Sequence, residues 1–461
     1  MISYKEFKDG LYRIFSEDKS LNSIPFADLI GAIPKVNEIK DIKRGSVVLV
    51  RADLDVPIEN GVVVEPSRIT SSLPTIKYCI GQGWTVVLFG HVGRDKKNTA
   101  LPICNLLTTE LGFDVELISD WIDEASMTLT DAAVSKLNNA KAGSVYVLEN
   151  TRKYAIETAL WTAKEEDFEE ICKKMYSLAK DVKERLTSAE INEGFAASNL
   201  DFSSVAIPLL MSKTAMGFYI RDEMNYIERV RNANMVVFSG LKIDKLNDLE
   251  DALKRGHIRW IISAGSLAMA LLKGRAELNG ENFSLGRAET DEKEKFYISR
   301  ERIEQGKRIV EHCRKNGVEL VLPVDFVLEN GEVADQIPAG KAQFEVGPKT
   351  RVLFEEKIRD YISKSKASPE TSVVFYNGVF GKFENPKFEA STREFISHLK
   401  KMTETGIETY VGGGEGRMAL LKYGGVEDVT HAFTAGGTIL KSLSDQHIPY
   451  LKAMYLQNKQ P

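Results

Sequence analysis

Short apolar runs recur along the whole chain, and each one ends in a loop of polar or glycine residues. In the first half these runs are Ser46–Val50, Thr85–Phe89 and Ser144–Leu148. In the second half comparable runs span residues 235–238, 260–262, 319–322, 373–376 and 408–411. Short apolar runs of this kind, three to five residues long, favour buried strands, so the pattern predicts two sets of strands.

Stretches with helical periodicity lie between the strand-like runs, for example Glu301–Arg314 and Lys387–Met402. Strands that alternate with helices predict parallel sheets with right-handed crossovers. A chain of 461 residues is too long for one ordinary core. We therefore expect an α/β protein with two doubly wound, Rossmann-like parallel-sheet domains. The charged segment Tyr219–Val230 predicts a helix, which is either a hinge between the domains or an ordinary surface helix of one of them.

The loops after the strands differ between the two halves. Arg51, Arg94 and Arg152 follow the strands of the first half, where ligands of open α/β sheets bind and where a guanidinium suits carboxylates and phosphates. Each arginine could instead be an ordinary solvent-exposed residue of a loop, with no role in binding. Glycines follow the strands of the second half and let backbone N–H groups approach phosphates or a flat ring. The first half thus resembles an anion-binding domain and the second a nucleotide-binding domain.

Composition narrows the class of protein. Apolar residues make up 43% of the chain, charged residues make up 28%, and the formal net charge is −5. This balance argues against broad binding to nucleic acid or a membrane surface. No apolar run reaches the ~20 residues of a membrane span, and the N-terminus has no signal-peptide pattern. The four scattered cysteines predict free thiols, and all of this fits the cytosol.

Several motifs, taken in their order along the chain, identify a known family. They are Arg51-Ala-Asp53-Leu-Asp55-Val-Pro57, His91-Val-Gly-Arg94, Glu149-Asn-Thr-Arg152, Gly347-Pro-Lys-Thr350, Asn377-Gly378 and Gly412-Gly-Gly-Glu415. Each motif alone is weak, but together they resemble phosphoglycerate kinase. The resemblance implies reversible phosphoryl transfer between 1,3-bisphosphoglycerate and Mg-ADP, which gives 3-phosphoglycerate and ATP in glycolysis.

The resemblance also implies a division of the chain. Residues 1–33 form an N-terminal extension, and residues 34–218 form the phosphoglycerate-binding domain, to which residues 430–461 return. Residues 219–232 form the interdomain helix, and residues 233–429 form the nucleotide-binding domain.

The family match assigns roles to individual residues. The group expected at the transferring phosphoryl consists of Arg68, Lys242, Gly436 and Gly437. The substrate-binding group consists of Arg51, Asp53, Asp55, His91, Arg94 and Arg152. The group expected to bind ADP or ATP consists of Gly240, Lys245, Gly265, Asn377, Gly378, Glu384, Gly412, Gly413 and Gly414. Glu415 is the expected ligand of Mg²⁺.

The chain also departs from the family pattern. Asp55 stands where the family has Asn, and a carboxylate there would repel the substrate carboxylate unless it retained its proton. Asn199-Leu200 replaces a His-Arg pair, which removes an arginine expected to hold the substrate phosphate. Glu415-Gly416 replaces Asp-Thr, so the acid at the metal position sits on a longer arm.

Three interpretations stay open at this point. The chain is a working but divergent phosphoglycerate kinase, a catalytically weak or inactive homologue that serves as a binding or structural subunit of a larger assembly, or a kinase for a different carboxylate. The expected partners are a substrate of the 3-phosphoglycerate type and an adenine nucleotide, with no nucleic acid and no membrane span. An active chain is expected to be a monomer, and an inactive one a subunit of an assembly.

Overall fold

The computed structural model describes residues 2–367, 372–444 and 446–459. They form two compact units. The first runs to Asn225 and also contains the segment from Gln446 onward, and the second begins at Tyr226 and continues up to that segment. The outer limits of the predicted domains, at residues 1 and 461, lie outside the described residues, and the predicted division of the chain stays a prediction.

A six-stranded parallel sheet organises the described part of the first unit, in the order β10-β9-β1-β4-β8-β5. Two hairpins pair β2 with β3 and β6 with β7. The strands are β1 Val47–Ala52, β2 Ile58–Glu59, β3 Val62–Val63, β4 Thr85–Phe89, β5 Glu116–Ile118, β6 Ile122–Asp123, β7 Thr128–Leu129, β8 Val145–Leu148, β9 Ala189–Glu193 and β10 Lys213–Met216.

Helices cover both faces of this sheet, because alternate side chains of its strands point to opposite sides. Leu49 and Val87 belong to one apolar cluster, whereas Val48 and Val86 belong to the other. The helices are α1 Tyr4–Phe15, α2 Lys19–Asn22, α3 Phe26–Gly31, α4 Ser67–Thr70, α5 Leu73–Gly81, α6 Leu101–Leu111, α7 Asp131–Asn138, α8 Phe168–Arg185, α9 Ile207–Leu210 and α10 Phe218–Val230, in which the second unit begins.

The N-terminal segment is part of the packed core of the first unit. Ser3 and Glu6 form a capping box at the start of α1, and Phe7, Leu11 and Ile14 of that helix are buried. They join an apolar cluster that also contains Ala453 of the last helix of the chain. The residues 1–33 predicted as an extension therefore include a helix that contributes directly to the core.

The second unit repeats the same architecture. Its described strands form a six-stranded parallel sheet in the order β13-β12-β11-β17-β18-β19, and β15-β14-β16 form a small antiparallel sheet. The strands are β11 Met235–Phe238, β12 Trp260–Ser263, β13 Glu319–Val321, β14 Phe326–Leu328, β15 Val333–Ala334, β16 Gln343–Val346, β17 Val373–Asn377, β18 Glu408–Gly412 and β19 His431–Ala432.

Helices again connect the strands of this unit. They are α11 Lys245–Lys254, α12 Gly265–Leu278, α13 Arg287–Thr290, α14 Arg300–Asn316, α15 Pro348–Ala367, α16 Ala390–Glu404, α17 Gly414–Tyr423 and α18 Gly436–Leu443. Helix α19, Pro449–Asn458, belongs to the first unit. Two parallel sheets, each with interleaved helices, confirm the predicted α/β class. No helix in the described ranges is both long and apolar enough to cross a bilayer.

Candidate active site

Arg51, at the carboxyl end of β1, is completely buried. Its Nε donates a 2.9 Å hydrogen bond to the Ser203 hydroxyl, and its Nη1 donates a 2.6 Å bond to the carbonyl of Ala52. Its Nη2 lies 3.3 Å from Nδ1 of His91. These contacts support a positioning role for Arg51 beneath the site, and a direct contact with substrate stays a prediction.

His91 follows β4 and is also buried. Burial is the main cause that lowers the pKa of its imidazole, and the nearby guanidinium groups of Arg51 and Arg152 act in the same direction. The amide of the neighbouring Val92 donates a 2.9 Å hydrogen bond to the side chain of Asn150, which fixes the loop. Burial thus opposes protonation of His91, whereas the adjacent Asp55 carboxylate favours it.

Asp55 and Arg68 lie together on the other side of His91. Arg68 Nη1 donates a 2.6 Å hydrogen bond to the carbonyl of Asp55, and Gly93 N–H donates a 2.9 Å bond to Oδ1 of its carboxylate. Oδ2 lies 3.7 Å from Arg68 Nη1 and 3.7 Å from His91 Nε2. The adjacent His91 ring, followed by the Gly93 amide and Arg68, holds the pKa of Asp55 at about 2. Asp55 therefore does not retain its proton at neutral pH.

Asp53, two residues earlier, is buried under the same loop. Both of its carboxylate oxygens accept from the N–H of Ala196, at 3.0 and 2.7 Å. Burial raises the pKa of Asp53 to about 6, although the Ala196 amide and the guanidinium groups of Arg68 and Arg51 oppose that rise. Two carboxyl groups with well-separated pKa values thus line the same end of the sheet.

Arg94 and Arg152 complete the cationic side of this end. Arg152 Nη1 donates a 2.5 Å hydrogen bond to the carbonyl of Gly93, and its guanidinium lies 5.2 Å from the ring centre of Trp161. Arg94 follows Gly93 directly and is exposed. The fold therefore places Asp53, Asp55, Arg68, His91 and Arg152 around one loop cluster, with Arg94 at its solvent side.

The segment after β9 contains Leu200, where the sequence resemblance led us to expect an arginine. Leu200 is half-buried and packs against the large apolar cluster of the first unit. The following Asp201 is buried, and the Trp161 ring donates a 3.0 Å hydrogen bond to it. Burial and the neighbouring Glu157 raise the pKa of Asp201 to about 7. Leu200, at the position expected to carry an arginine, is thus part of an apolar wall.

In the second unit, glycines allow three strand-end loops to approach one another. Gly240, Gly265 and Gly378 all have positive φ, at +110°, +62° and +113°. A Cβ on Gly265 would lie 2.8 Å from the carbonyl oxygen of Gly240, and one on Gly378 would lie 2.0 Å from that of Ser239. Since real Cβ atoms do not approach so closely, only glycine permits this arrangement.

Lys245, at the start of α11, lies beside these loops and is buried. Its ammonium donates a 2.9 Å hydrogen bond to the carbonyl of Ser239. Burial lowers the pKa of Lys245 to about 8, and Glu415 partly opposes this. Lys242 lies on the preceding loop and is exposed. A Cβ on Gly240 would lie 3.1 Å from Glu415 Oε2 and 3.4 Å from Lys245 Nζ, so an acid and a cation border the same space.

Asn377 lies between the N-termini of two helices. A Cβ on Gly413, just before α17, would lie 3.1 Å from its Nδ2, and one on Gly436, the first residue of α18, would lie 3.7 Å from it. Asn377 is buried, and neither its Oδ1 nor its Nδ2 has a hydrogen-bond partner among the described residues. Because buried amides are nearly always hydrogen-bonded, a polar ligand would satisfy this one.

An apolar pocket opens next to these glycines. Leu241, Met269, Leu285, Phe296, Ile337 and Val379 contribute to its walls together with Gly240 and Gly265. Glu384, which is exposed, and Glu415 add carboxylates to its lining. Apolar walls with a few polar groups are typical of ligand pockets, and helix N-termini such as those at Gly414 and Gly436 suit anions.

Comparison with known proteins identifies the chain. The profile of the family described as phosphoglycerate kinase matches residues 39–446. The chain belongs to the phosphoglycerate kinase family. It is 29% identical over 443 residues to the phosphoglycerate kinase of Thermosipho africanus, a match that covers 91% of this chain and 98% of that protein. It is 30% identical over 448 residues to that of Bifidobacterium longum, with 91% of this chain and 99% of the relative covered.

Solved structures show the same fold. The phosphoglycerate kinase of Coxiella burnetii has a TM-score of 0.69 and 24% identity, and the match covers 92% of this chain and 98% of that structure. The phosphoglycerate kinase of Pyrococcus horikoshii has a TM-score of 0.71 and 23% identity, with 92% and 99% covered. Both likenesses extend over nearly the whole chain, so the two-sheet architecture is that of the family.

Sequence reasoning missed several residues that hold the site together. Ser203 and Glu157 support Arg51, because the Ser203 hydroxyl donates a 2.7 Å hydrogen bond to Glu157. Asn150 anchors the His91 loop by accepting a hydrogen bond from the Val92 amide, and the Ala196 amide donates directly to the Asp53 carboxylate. The asparagine could have been noticed within the Glu149-Asn-Thr-Arg152 motif, but the other three carry no local signal.

Proposed function

We propose that this protein catalyses reversible phosphoryl transfer between the acyl phosphate of 1,3-bisphosphoglycerate and Mg-ADP, giving 3-phosphoglycerate and ATP. Membership of the phosphoglycerate kinase family supports this proposal. The observation that carries it is the pair of buried, unpartnered amide atoms of Asn377 beside Gly413 and Gly436. A nucleotide phosphate at the two helix N-termini gives that amide a partner and meets favourable dipoles.

The apolar pocket supports an adenine nucleotide as the ligand of the second unit. Its walls accept a base, Glu384 offers an acceptor for ribose hydroxyls, and Lys245 and Lys242 supply positive charge near the phosphates. The arrangement of Arg68, Arg94 and Arg152 in the first unit supports a small acid that carries a phosphate group.

The proposed reaction requires no proton transfer to or from a protein side chain. The attacking β-phosphate oxygen of ADP and the departing carboxylate are both anionic at neutral pH, so no general base or acid is required. The P–O bond to the acyl group breaks as the P–O bond to ADP forms. The negative charge on the transferring group needs cations, and Arg68 and Lys242 are the residues proposed to supply them.

The residues present fit a magnesium ion held mainly by the nucleotide. Mg²⁺ in phosphotransferases is commonly bound by one or two carboxylates together with substrate phosphates. The described residues contain no group of three or more His, Cys, Asp or Glu side chains able to hold a metal by themselves. Glu415, in the first turn of α17, is the carboxylate proposed to bind it. When bound, Mg²⁺ would neutralise part of the phosphate charge.

A coupled assay of ATP formation tests the proposal. Turnover with 1,3-bisphosphoglycerate and Mg-ADP is expected in the unmodified protein. Arg68→Met and Lys242→Met should each lower kcat by about a hundredfold or more, the magnitude found when a transition-state donor is removed. Lys401→Met, which removes an exposed lysine of α16, is the matched control and should leave kcat unchanged.

A second function is favoured by the apolar environment of Leu200 and the charge of Asp55. Both weaken a site for a highly charged anion, as in a weakly active homologue that serves as a binding subunit. Calorimetric titration separates the two: binding of Mg-ADP with no binding of 3-phosphoglycerate and no turnover supports the second function.

A further inference from the structure

Asp55 adds a fixed negative charge to the anion-binding end of the first unit. Its side chain is 39% exposed, so one part is anchored and another faces outward. Oδ1 is anchored by the Gly93 amide at 2.9 Å. Oδ2 lies 3.7 Å from Arg68 Nη1 and from His91 Nε2, which is longer than a hydrogen bond. Because the Asp55 side chain is partly exposed, that oxygen keeps room to accept a hydrogen bond from a ligand beside Arg68 and His91.

The surroundings of Asp55 determine which ligand groups it tolerates. The fixed charges near Oδ2 are the guanidinium of Arg68 at 3.7 Å and the second acid Asp53, two residues away, while burial opposes a positive charge on His91. A carboxylate of the ligand placed against Oδ2 would be repelled, whereas a donor there would form a charge-assisted hydrogen bond. An ammonium group is the best such donor because it also carries the opposite charge.

We propose that Asp55 determines substrate specificity by favouring phosphorylated carboxylic acids that carry a hydrogen-bond donor, above all an ammonium group, next to the carboxyl. This inference rests on the proposed function, in which the first unit binds a phosphorylated acid. Within that class it distinguishes amino acids from hydroxy acids of the same skeleton.

The competing explanation is that Asp55 only supports the loop at Gly93. An asparagine would serve that purpose equally, because its amide oxygen can accept the same bond from the Gly93 amide. Asp55→Asn therefore keeps the structural contact and removes only the charge. Asp95→Asn is the matched control, since Asp95 is an exposed acid of the same loop whose carboxylate accepts a 2.9 Å bond from the Lys97 amide.

Calorimetric titration of the full chain with O-phosphoserine and with 3-phosphoglycerate tests the proposal, because these ligands differ only by ammonium against hydroxyl. The unmodified protein and Asp95→Asn should bind O-phosphoserine about tenfold more tightly, the range expected for a hydrogen bond to a charged group. Asp55→Asn should lose that preference and bind 3-phosphoglycerate more tightly than the unmodified protein does. Thermal unfolding of each variant shows whether the fold is kept.

The possible outcomes separate two kinds of failure. If both ligands bind and their affinity ratio is the same with and without the Asp55 charge, the specificity proposal is wrong and the proposed function stands. If neither ligand binds to any of the three proteins, the first unit does not take phosphorylated acids, and both proposals fail together.

Discussion

The Nε of Arg51 donates a 2.9 Å hydrogen bond to the hydroxyl of Ser203, a residue 152 positions later in the chain. The bond joins the carboxyl end of β1 to the π-helical turn Phe202–Ala206. The Ser203 hydroxyl in turn donates a 2.7 Å hydrogen bond to Glu157, and Nη2 of Arg51 lies 3.3 Å from Nδ1 of His91. A buried polar network therefore lies directly beneath the proposed substrate end of the first unit.

Replacing Arg51 with methionine should destabilise the protein by about 3 kcal/mol or more, as expected when one partner of a buried charged network is removed. The nearby acid Asp201 would lose part of its countercharge. Denaturant unfolding of the variant gives the measurement. Arg94→Met, which removes an exposed arginine of the same unit, should change the free energy of unfolding by less than about 0.5 kcal/mol. Equal effects of the two substitutions would contradict the network.

Two glutamates on β9 should respond in opposite ways to the same substitution. Neither carboxyl oxygen of Glu190 has a hydrogen-bond partner in the described structure, and burial raises its pKa well above the ordinary value. Because the folded pKa of Glu190 is higher than the unfolded value of 4.5, the folded protein holds this proton more tightly than the unfolded chain does. The resulting contribution to the free energy of unfolding is fully present below pH 4.5 and is lost as the pH rises through the folded pKa. Glu190→Met should therefore raise the free energy of unfolding by about 1–3 kcal/mol at pH 8, and by less at pH 4.

Glu193 provides the matched control for this test. It accepts hydrogen bonds from the Thr75 hydroxyl and, at 2.9 Å, from the Ile220 amide, so Glu193→Met leaves these donors without a partner. This variant should be less stable by about 1–3 kcal/mol. Stabilisation by both substitutions, or by neither, in denaturant titrations would argue against the assigned environments.

The apolar runs predicted most strands of the two sheets because those strands are buried on both faces. The run Thr85–Phe89 is a strand over the same residues in the structure, and the predicted helix Tyr219–Val230 begins one residue earlier. Strand β9 was not predicted because it has no apolar run: Glu190, Asn192 and Glu193 are polar, although all three are buried. The partners of Glu193, such as Thr75, are far away in the chain, and no local pattern reveals them.

The sequence pattern did not show how the predicted site residues would be placed in the fold, and their roles stay predictions. Arg51 and Arg94 occupy equivalent places in the sequence pattern, yet the first is fully buried and the second is exposed. The difference comes from tertiary neighbours such as Ser203. The charge of Asp55 also depends on groups that the fold brings to it, since His91 and Gly93 lie on a different loop.

The buried ammonium of Lys245 should make the stability of the second unit depend on pH. Its folded pKa of about 8 is below the ordinary 10.5, so between these values the unfolded state binds more protons and stability rises with pH. Lys245→Met should raise the free energy of unfolding by about 2 kcal/mol at pH 7, and the gain should shrink towards pH 10.5. Lys254→Met, an exposed change on the same helix, should show no such trend in chemical denaturation.

The tight approach of the glycine loops predicts a large difference between two Gly→Ala substitutions. A Cβ on Gly378 would lie 2.0 Å from the Ser239 carbonyl oxygen at φ +113°, whereas one on Gly414 would meet no atom within 4 Å. Gly378→Ala should cost about 3 kcal/mol or more through strain, and Gly414→Ala should be neutral or slightly stabilising because alanine favours helices. Thermal unfolding checks both, and a tolerated Gly378→Ala would mean that the loops can separate freely.

A cation placed at Leu200 should strengthen binding of the phosphorylated acid, at a cost in stability. Leu200→Arg should increase the affinity for 3-phosphoglycerate by about tenfold through a new charge-assisted bond to its phosphate. It should also lower the free energy of unfolding by about 1–2 kcal/mol, since Leu200 packs against the apolar cluster of the first unit. Leu200→Gln is the matched control, with a similar loss of packing and no charge. If both variants bind 3-phosphoglycerate equally well in calorimetric titrations, the phosphate is held elsewhere and the lost arginine has been replaced by another group.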